Sequence, residues 1–332
     1  MSPVPTFAPS SDLSTIPLSS SPLIVLPTGG YGCGRALAIN STGVEGGHVF
    51  TCASPGLVQA ALWVNGALVV LPSLASTGSS NVIAVASDST AAGFAIDALG
   101  VAHATSWRNG VLTVLPGGES STAVSISPDG VIAGSVVLAG VRLPALWVNG
   151  LLVTDAQPAG YVGARFNSRA VAVVAGTALN PVNGIVRGAR AFRWLGPGSY
   201  QLLDLPATAS SVALGQVNNA GTVVGMVFGA GGASSVYWPA ALTTPVMVPM
   251  PLEAASGDLR TINNSGVLAG SLTSVGLNAQ TVPVFYPTTT GIWSRLITGD
   301  AFGAVYGSND LGAFAGSIGN PNAQPVMWAA VP

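Results

Sequence analysis

The feature that most constrains this chain is a unit that returns about every 45 residues. Its first half reads A-x-x-I-N-x-x-G-x-x-x-G. The clearest copies are ALAINSTGVEGG (36–47), AVSISPDGVIAG (123–134), GQVNNAGTVVG (215–225), RTINNSGVLAG (260–270) and YGSNDLGAFAG (306–316), with weaker ones at 83–93 and 167–176. Its second half, x-A-x-x-W-x-x-G, leads into a short apolar segment such as LVVLP (68–72) or LTVLP (112–116). The closing glycines are Gly47, Gly93, Gly134, Gly176, Gly225, Gly270 and Gly316. The aromatic anchors are Trp63, Trp107, Trp147, Trp194, Trp238, Tyr286 and Trp328. Both markers count seven.

Each unit contains four strand-like pieces, seen in the third copy as STAVSI, VIAGSVV, PALWV and LLVTDA. The dipeptides Asn65-Gly66, Asn109-Gly110 and Asn149-Gly150 are strong two-residue hairpin signals, because both central residues of that turn need positive φ. Four antiparallel strands in about 45 residues, repeated seven times, predict an all-β fold, a seven-bladed β-propeller. The ends explain each other. LIVLP (23–27) has no Trp before it, and PVMWAAVP (325–332) has no apolar strand after it. The N-terminal strand is therefore expected to complete the last blade, which closes the ring and removes an open sheet edge.

The unit also resembles the extracellular HAF-repeat family of bacterial proteins, whose repeats carry the same glycine pattern followed by A-F-x-W. Ala38-Ile39-Asn40 through Gly47, Ile262-Asn263 through Gly270 and Ala191-Phe192-Arg193-Trp194 carry the likeness best, within residues 23–332. The resemblance implies a repeat domain with a surface-related role and brings no catalytic residues with it.

Composition narrows the function. The chain has ten basic and twelve acidic side chains among 332 residues, no lysine, and a net charge of -2. That balance gives no general reason to bind nucleic acid. The apolar runs are broken by Asn-Gly and are too short to span a bilayer, so no membrane insertion is expected. The first residues show no basic n-region or apolar h-region of a secretory signal. With two histidines and two cysteines, metal and triad chemistry are short of parts, and no cofactor or metal is expected.

Candidate sites are few. Asn40, Asn218, Asn263 and Asn309 read either as a polar ring on one face or as turn residues bonding their own backbone. The aromatic anchors read as filling between blades rather than as a sugar-stacking array. A turn at 41–44 places Cys33 opposite Cys52, within disulfide reach, or leaves two free buried thiols if the register slips by one. Five of the ten arginines, Arg165, Arg169, Arg187, Arg190 and Arg193, fall in the fourth repeat. They read as a site for a carboxylate, phosphate or acidic sugar, or as partners of Asp155, Asp204 or backbone carbonyls.

Residues 1–22 form a Pro/Ser-rich arm in which Val4, Phe7, Leu13, Ile16 and Leu18 are spaced as apolar anchors. The arm reads as a docking segment for other virion proteins or a second copy of the chain, or as a cover for one of its own blade edges. The resulting expectation is a non-catalytic structural or adhesion module of a bacteriophage virion, on tail or capsid, with a host-surface glycan or anionic ligand as a possible target. The alternative is a secreted or cell-surface bacterial carbohydrate-binding protein of the HAF-repeat type.

Overall fold

The structure, a computed structural model, describes residues 13–53, 57–171, 173–182, 185–230, 232–276, 279–299, 302–319 and 322–330. Seven four-stranded antiparallel sheets form a seven-bladed β-propeller. Blade 1 shows the pattern: Gly32–Ile39 lines the axis, followed outward by Glu45–Thr51, Val58–Val64 and Ala67–Val70. Blades 2 to 6 occupy 80–114, 120–154, 162–202, 209–247 and 254–295. Blade 7 takes three strands from 303–328, and its outermost strand is Leu23–Val25, with Leu23 paired to Trp328 and Val25 to Val326. The first and last parts of the chain thus share one sheet.

The recurring residues each answer a local demand. At Asn65, Asn109 and Asn149 φ is 51°, 52° and 51°, and the following glycines lie at 76° to 77°, the double positive φ that a tight hairpin requires. In each blade the innermost strand carries one extra residue, a bulge, against its neighbour. The bulge brings the two backbones close beside the closing glycine. A Cβ on Gly47, Gly93, Gly134 or Gly270 would overlap the carbonyl oxygen of Arg35, Asn81, Thr122 or Asp258 respectively. The glycine is there for space, not for an unusual φ.

The blade-to-blade contacts use tryptophan. Trp63, Trp107, Trp147, Trp238 and Trp328 are at most 1% exposed. An indole of this size removes roughly 150–250 Å² from water, a gross gain of about 4–6 kcal/mol. Its N–H must also be satisfied, and the preceding blade does this. Trp63 donates to the Pro27 carbonyl (2.7 Å), Trp107 to Pro72 (2.9 Å) and Trp147 to Pro116 (2.6 Å). Trp238 donates to the Asp204 carbonyl (2.9 Å) and Trp328 to that of Ile297 (2.6 Å). In blade 4, Trp194 meets the Asp155 carboxylate at 2.5 Å, because Asp155 stands where the other junctions have leucine or, at Val248, valine. Burial works against that carboxylate, but hydrogen bonds from Trp194, Gly198 and Ala156 outweigh it and hold its pKa below the ordinary value. In blade 6 the anchor position is Tyr286, and the donor is Trp293, tilted against it with centroids 5.0 Å apart, which reaches the Pro249 carbonyl at 2.8 Å. The seven tryptophans serve the seven junctions, one each.

The described part of the arm lies on its own propeller. Leu13 and Ile16 are buried against Val248, Leu259 and Trp293 of blades 5 and 6. Ser19 N–H donates to the Arg295 carbonyl and Arg295 N–H to that of Pro17, both at 2.8 Å, and the Arg295 guanidinium donates to the carbonyls of Ile16 and Ser14. The arm thus covers the outer edge of blade 6. The docking expectation is corrected for Leu13 and Ile16, whose apolar surface is already used within the chain. Leu18 remains 58% exposed. Val4 and Phe7 lie outside the described residues.

Cys33 and Cys52 are joined by a disulfide, with Cα atoms 5.2 Å apart. The register differs from the sequence expectation by two residues, one because the turn pairs Ile39 with Glu45 and one because of the bulge between Ala36 and Ala38, so Cys33 pairs with Phe50. Cys52 lies just past the end of its strand and closes the bond diagonally.

Glu45 sits at the junction that closes the ring. It lies opposite Ile39 and Trp63, is 2% exposed, and its Oε2 has no partner. Burial raises its pKa from 4.5 to about 7, opposed by its own backbone hydrogen bond. Between these values the folded chain keeps a proton that the unfolded chain has lost, so stability falls as pH rises through that window. Below the lower value the penalty is absent, and above the upper one it is full, roughly 3 kcal/mol at 1.36 kcal/mol per unit. Glu45→Gln is therefore expected to raise Tm at about pH 8 and leave it nearly unchanged at about pH 4. Equal shifts at both pH values in a thermal melt would contradict this.

Candidate functional site

The bulge that brings the closing glycine close also points one residue of every blade into the central channel. These are Leu37, Ile83, Val124, Asn167, Gly215, Arg260 and Tyr306, each three positions before the turn residue that ends its strand. The lumen is consequently two-sided. Blades 1 to 3 contribute aliphatic side chains, and blades 4 to 7 contribute an amide, a glycine, a guanidinium and a phenol. Gly215 adds no side chain, and Gln216 beside it also faces the cavity. A Cβ there would collide with the Arg260 backbone of the next blade.

Arg260 is fixed in place. Its guanidinium is paired with Asp258 and lies over the Tyr306 ring, 5.7 Å from the centroid. The hydrogen bond to Asp258 raises its pKa further. Asn167 accepts the Thr177 hydroxyl (2.8 Å) through Oδ1, and Gln216 accepts the Thr261 hydroxyl (2.5 Å) through Oε1. Both amide nitrogens are left for the lumen. The cavity here is about 390 Å³ and opens away from the Asn turns, while a waist of about 170 Å³ separates it from a recess of about 250 Å³ on the turn side.

The turn-side recess is framed by the repeated asparagines, which do more than cap their turns. Asn263 Oδ1 accepts from the N–H groups of Ser265 and Val267, the local role, while its Nδ2 donates to the Asn309 carbonyl of the next blade at 3.1 Å. Asn218 donates in the same way to Asn263, Asn309 to Asn40, and Asn40 to Ala86. A parallel chain runs beside it: Val171 N–H to Asn219, Asn219 N–H to Asn264, Asn264 N–H to Asp310. Blades 4 to 7 and 1 to 2 are thereby belted at this mouth. Between blades 3 and 4, Arg169 takes over, donating to Ser127 (2.9 Å) and Asp129 (2.8 Å).

The four fourth-repeat arginines whose side chains are described do not converge. Arg193 is 4% exposed and donates to the carbonyls of Gly221, Trp238, Pro239 and Leu242, fastening blade 4 to blade 5. Arg190 donates to the Ser210 carbonyl at the start of blade 5. Arg169 belongs to the turn-side mouth, and Arg165 is exposed beside Thr177. The Arg187 side chain lies outside the described residues. The sequence leaves a shared anionic site and pairing with carboxylates or carbonyls both open; the described side chains sit at separate contacts, on the two strands Val162–Arg169 and Ile185–Gly196. The histidines lie elsewhere: His48 bridges to Asn81 of blade 2 at 2.9 Å, with burial lowering its pKa, and His103 pairs with Asp97. Sequence reasoning passed over Asn167, Gln216, Asp258 and Arg260. The signal for Asn167 and Arg260 is the position three before the residue that ends the inner strand, read down the aligned repeats; Gln216 and Asp258 lie outside it.

Among the described residues, no group of three or more His, Cys, Asp or Glu side chains is placed to hold a metal ion. No helix there is long and apolar enough to cross a membrane. No protein-family model matches the chain, and no curated protein matches it. Solved structures do. TolB from Acinetobacter baumannii is 14% identical with a TM-score of 0.51, covering 76% of this chain, which spans 63% of TolB. Virginiamycin B lyase from Staphylococcus aureus is 10% identical with a TM-score of 0.58, over 93% of this chain and 99% of that one. Oligogalacturonate lyase from Vibrio parahaemolyticus is 11% identical with a TM-score of 0.60, over 95% and 99%. At these identities the likeness is one of fold.

The dual role of the asparagines makes a separable prediction. Asn263→Asp should keep the turn but lose the donor to blade 7, whereas Asn263→Ala loses both. Chemical denaturation should show the alanine variant as the less stable, with losses of about 1–3 kcal/mol per buried group left unpaired. Indistinguishable midpoints would mean that the turn bonds alone matter.

Proposed function

We propose that this protein is a non-catalytic structural and adhesion module, most specifically a bacteriophage virion component of tail or capsid. The observation that carries the non-catalytic reading is the state of the charged groups around the channel. Arg260 is paired with Asp258, and Arg169 with Asp129. The pKa of Arg260 moves up. For Asp129, burial pushes upward, but Ser127 and Arg169 outweigh it and bring the value down. An acid–base catalyst needs the opposite, a group poised near the working pH. What remains at the lumen is a set of fixed N–H donors facing an aliphatic wall, which suits binding.

The rim supports assembly. The outermost strands expose Val25, Val69, Val111, Leu151, Val153 and Met247, with Leu151 at 71% and Val111 at 65%. These edges carry no lysine or proline to discourage pairing, and among the described residues the arm covers blade 6 alone. Lateral contact with other virion proteins or further copies of the chain would use this rim together with the arm.

A second reading, a secreted or cell-surface bacterial protein of the HAF-repeat type, is favoured by the Cys33–Cys52 disulfide, since such bonds persist in oxidising compartments. Quantitative mass spectrometry of purified particles from the native producer separates the two. The virion reading expects a fixed copy number per particle that survives density-gradient purification. Recovery only in the particle-free culture supernatant would overturn it in favour of the second reading.

A further inference from the structure

We infer that the lumen on the loop side of the channel is a binding site for one neutral sugar residue, held between Asn167, Gln216 and Arg260 on one wall and Leu37, Ile83 and Val124 on the other. Charge decides the ligand class first. Arg260 and Asp258 neutralise one another, with Asp258 Oδ1 buried and the guanidinium half-exposed, so the lumen carries no net charge to hold an ion. A cation would meet the guanidinium, and a neutral ligand needs no counter-charge. The wall chemistry decides the rest. Asn167 and Gln216 spend their oxygens on Thr177 and Thr261, and Arg260 spends Nε and Nη2 on Asp258. Three groups on adjacent blades therefore present N–H donors with their partners already fixed, which limits the entropy lost on binding. The ligand must supply acceptors on one edge, as a row of hydroxyl oxygens does.

Opposite them the wall is aliphatic, and it suits the C–H face of a pyranose ring. A polyol without such a face, or an apolar molecule without hydroxyls, would satisfy one wall and leave the other unmatched. Size agrees. The cavity of about 390 Å³ ends at the narrower waist, so a ring enters from the loop side and stops there. The waist is kept narrow by close backbone approach, since a Cβ on Gly307 would lie 2.9 Å from Ala38 Cα of blade 1.

The inference deepens the adhesion reading and rests on it only for the source of the sugar. A chain blind to every glycoside yet present at fixed copy in particles would defeat this site and leave that reading intact. The test is saturation-transfer NMR and calorimetry on the full chain with methyl glucoside, methyl galactoside, N-acetylglucosamine, the matching free sugars, a disaccharide and glucuronate. At least one neutral sugar is expected to bind one-to-one with a Kd on the order of 1 mM, the range open to a ligand of about a dozen heavy atoms. Asn167→Leu and Gln216→Leu should each weaken it about tenfold with the thermal melt retained, while Arg108→Ala at the rim should not. Binding of the glycoside and disaccharide assigns the site to the end of a glycan chain, and binding of free sugar alone assigns it to a monosaccharide. No binding by any neutral sugar, binding of glucuronate alone, or binding that survives both lumen variants would each overturn the inference.

Discussion

The structure depends on how one blade is fastened to the next, and that fastening is an indole. A four-stranded sheet of about 40 residues cannot bury both of its faces alone, so each blade must be covered on both sides. Tryptophan is the side chain that covers the most area at one point and also carries a donor that must be satisfied when buried. Placing the acceptor on the preceding blade, at Pro27, Pro72, Pro116, Asp204, Pro249 and Ile297, makes the covering specific in register as well as apolar. At the remaining junction the Asp155 carboxylate does the same work from a side chain. Because Pro27 belongs to the strand that completes blade 7, ring closure uses the same contact as every other junction.

The lumen follows from a second constraint. The bulge that lets the inner strand approach the closing glycine turns one residue per blade toward the axis, and outside blade 5, where a Cβ on Gly215 would meet the Arg260 backbone, that position holds different side chains. Blades 1 to 3 fill it with Leu37, Ile83 and Val124, blades 4 to 7 with polar groups or glycine. The asymmetry therefore arises at the position least constrained by the fold, which is where a binding surface can be varied without harming the ring. The asparagine belt leaves the turn-side mouth with fewer uncommitted donors than the loop side.

Much of this was legible in the repeat. Gly47 and its equivalents, the Trp spacing and the split terminal blade gave the blade count, because each answers a demand that recurs whenever a blade is made. What was hidden lies in contacts between repeats. Asn263 reads as a turn residue, and nothing within one unit shows that its Nδ2 reaches the next blade. Tyr286 fits the anchor count, yet the donor at that junction is Trp293, seven residues on. The disulfide was one of two readings left open, and the register that sets Cys33 opposite Phe50 was not legible. The arginines of the fourth repeat are close in sequence, but Arg169 and Arg193 lie on different strands and reach different contacts. The arm's Leu13 and Ile16 looked available because the blade 6 edge that they cover is remote in sequence.

The claim that each junction is closed by one indole hydrogen bond is best tested by hydrogen exchange at the tryptophan side chains in a 15N-labelled sample. The seven Nε1–H signals should all be protected and should lose protection together as the ring melts, including that of Trp293 and the closing pair at Trp63 and Trp328. Rapid exchange at two or more of the seven in the folded protein would show that packing alone joins the blades, and would contradict the account.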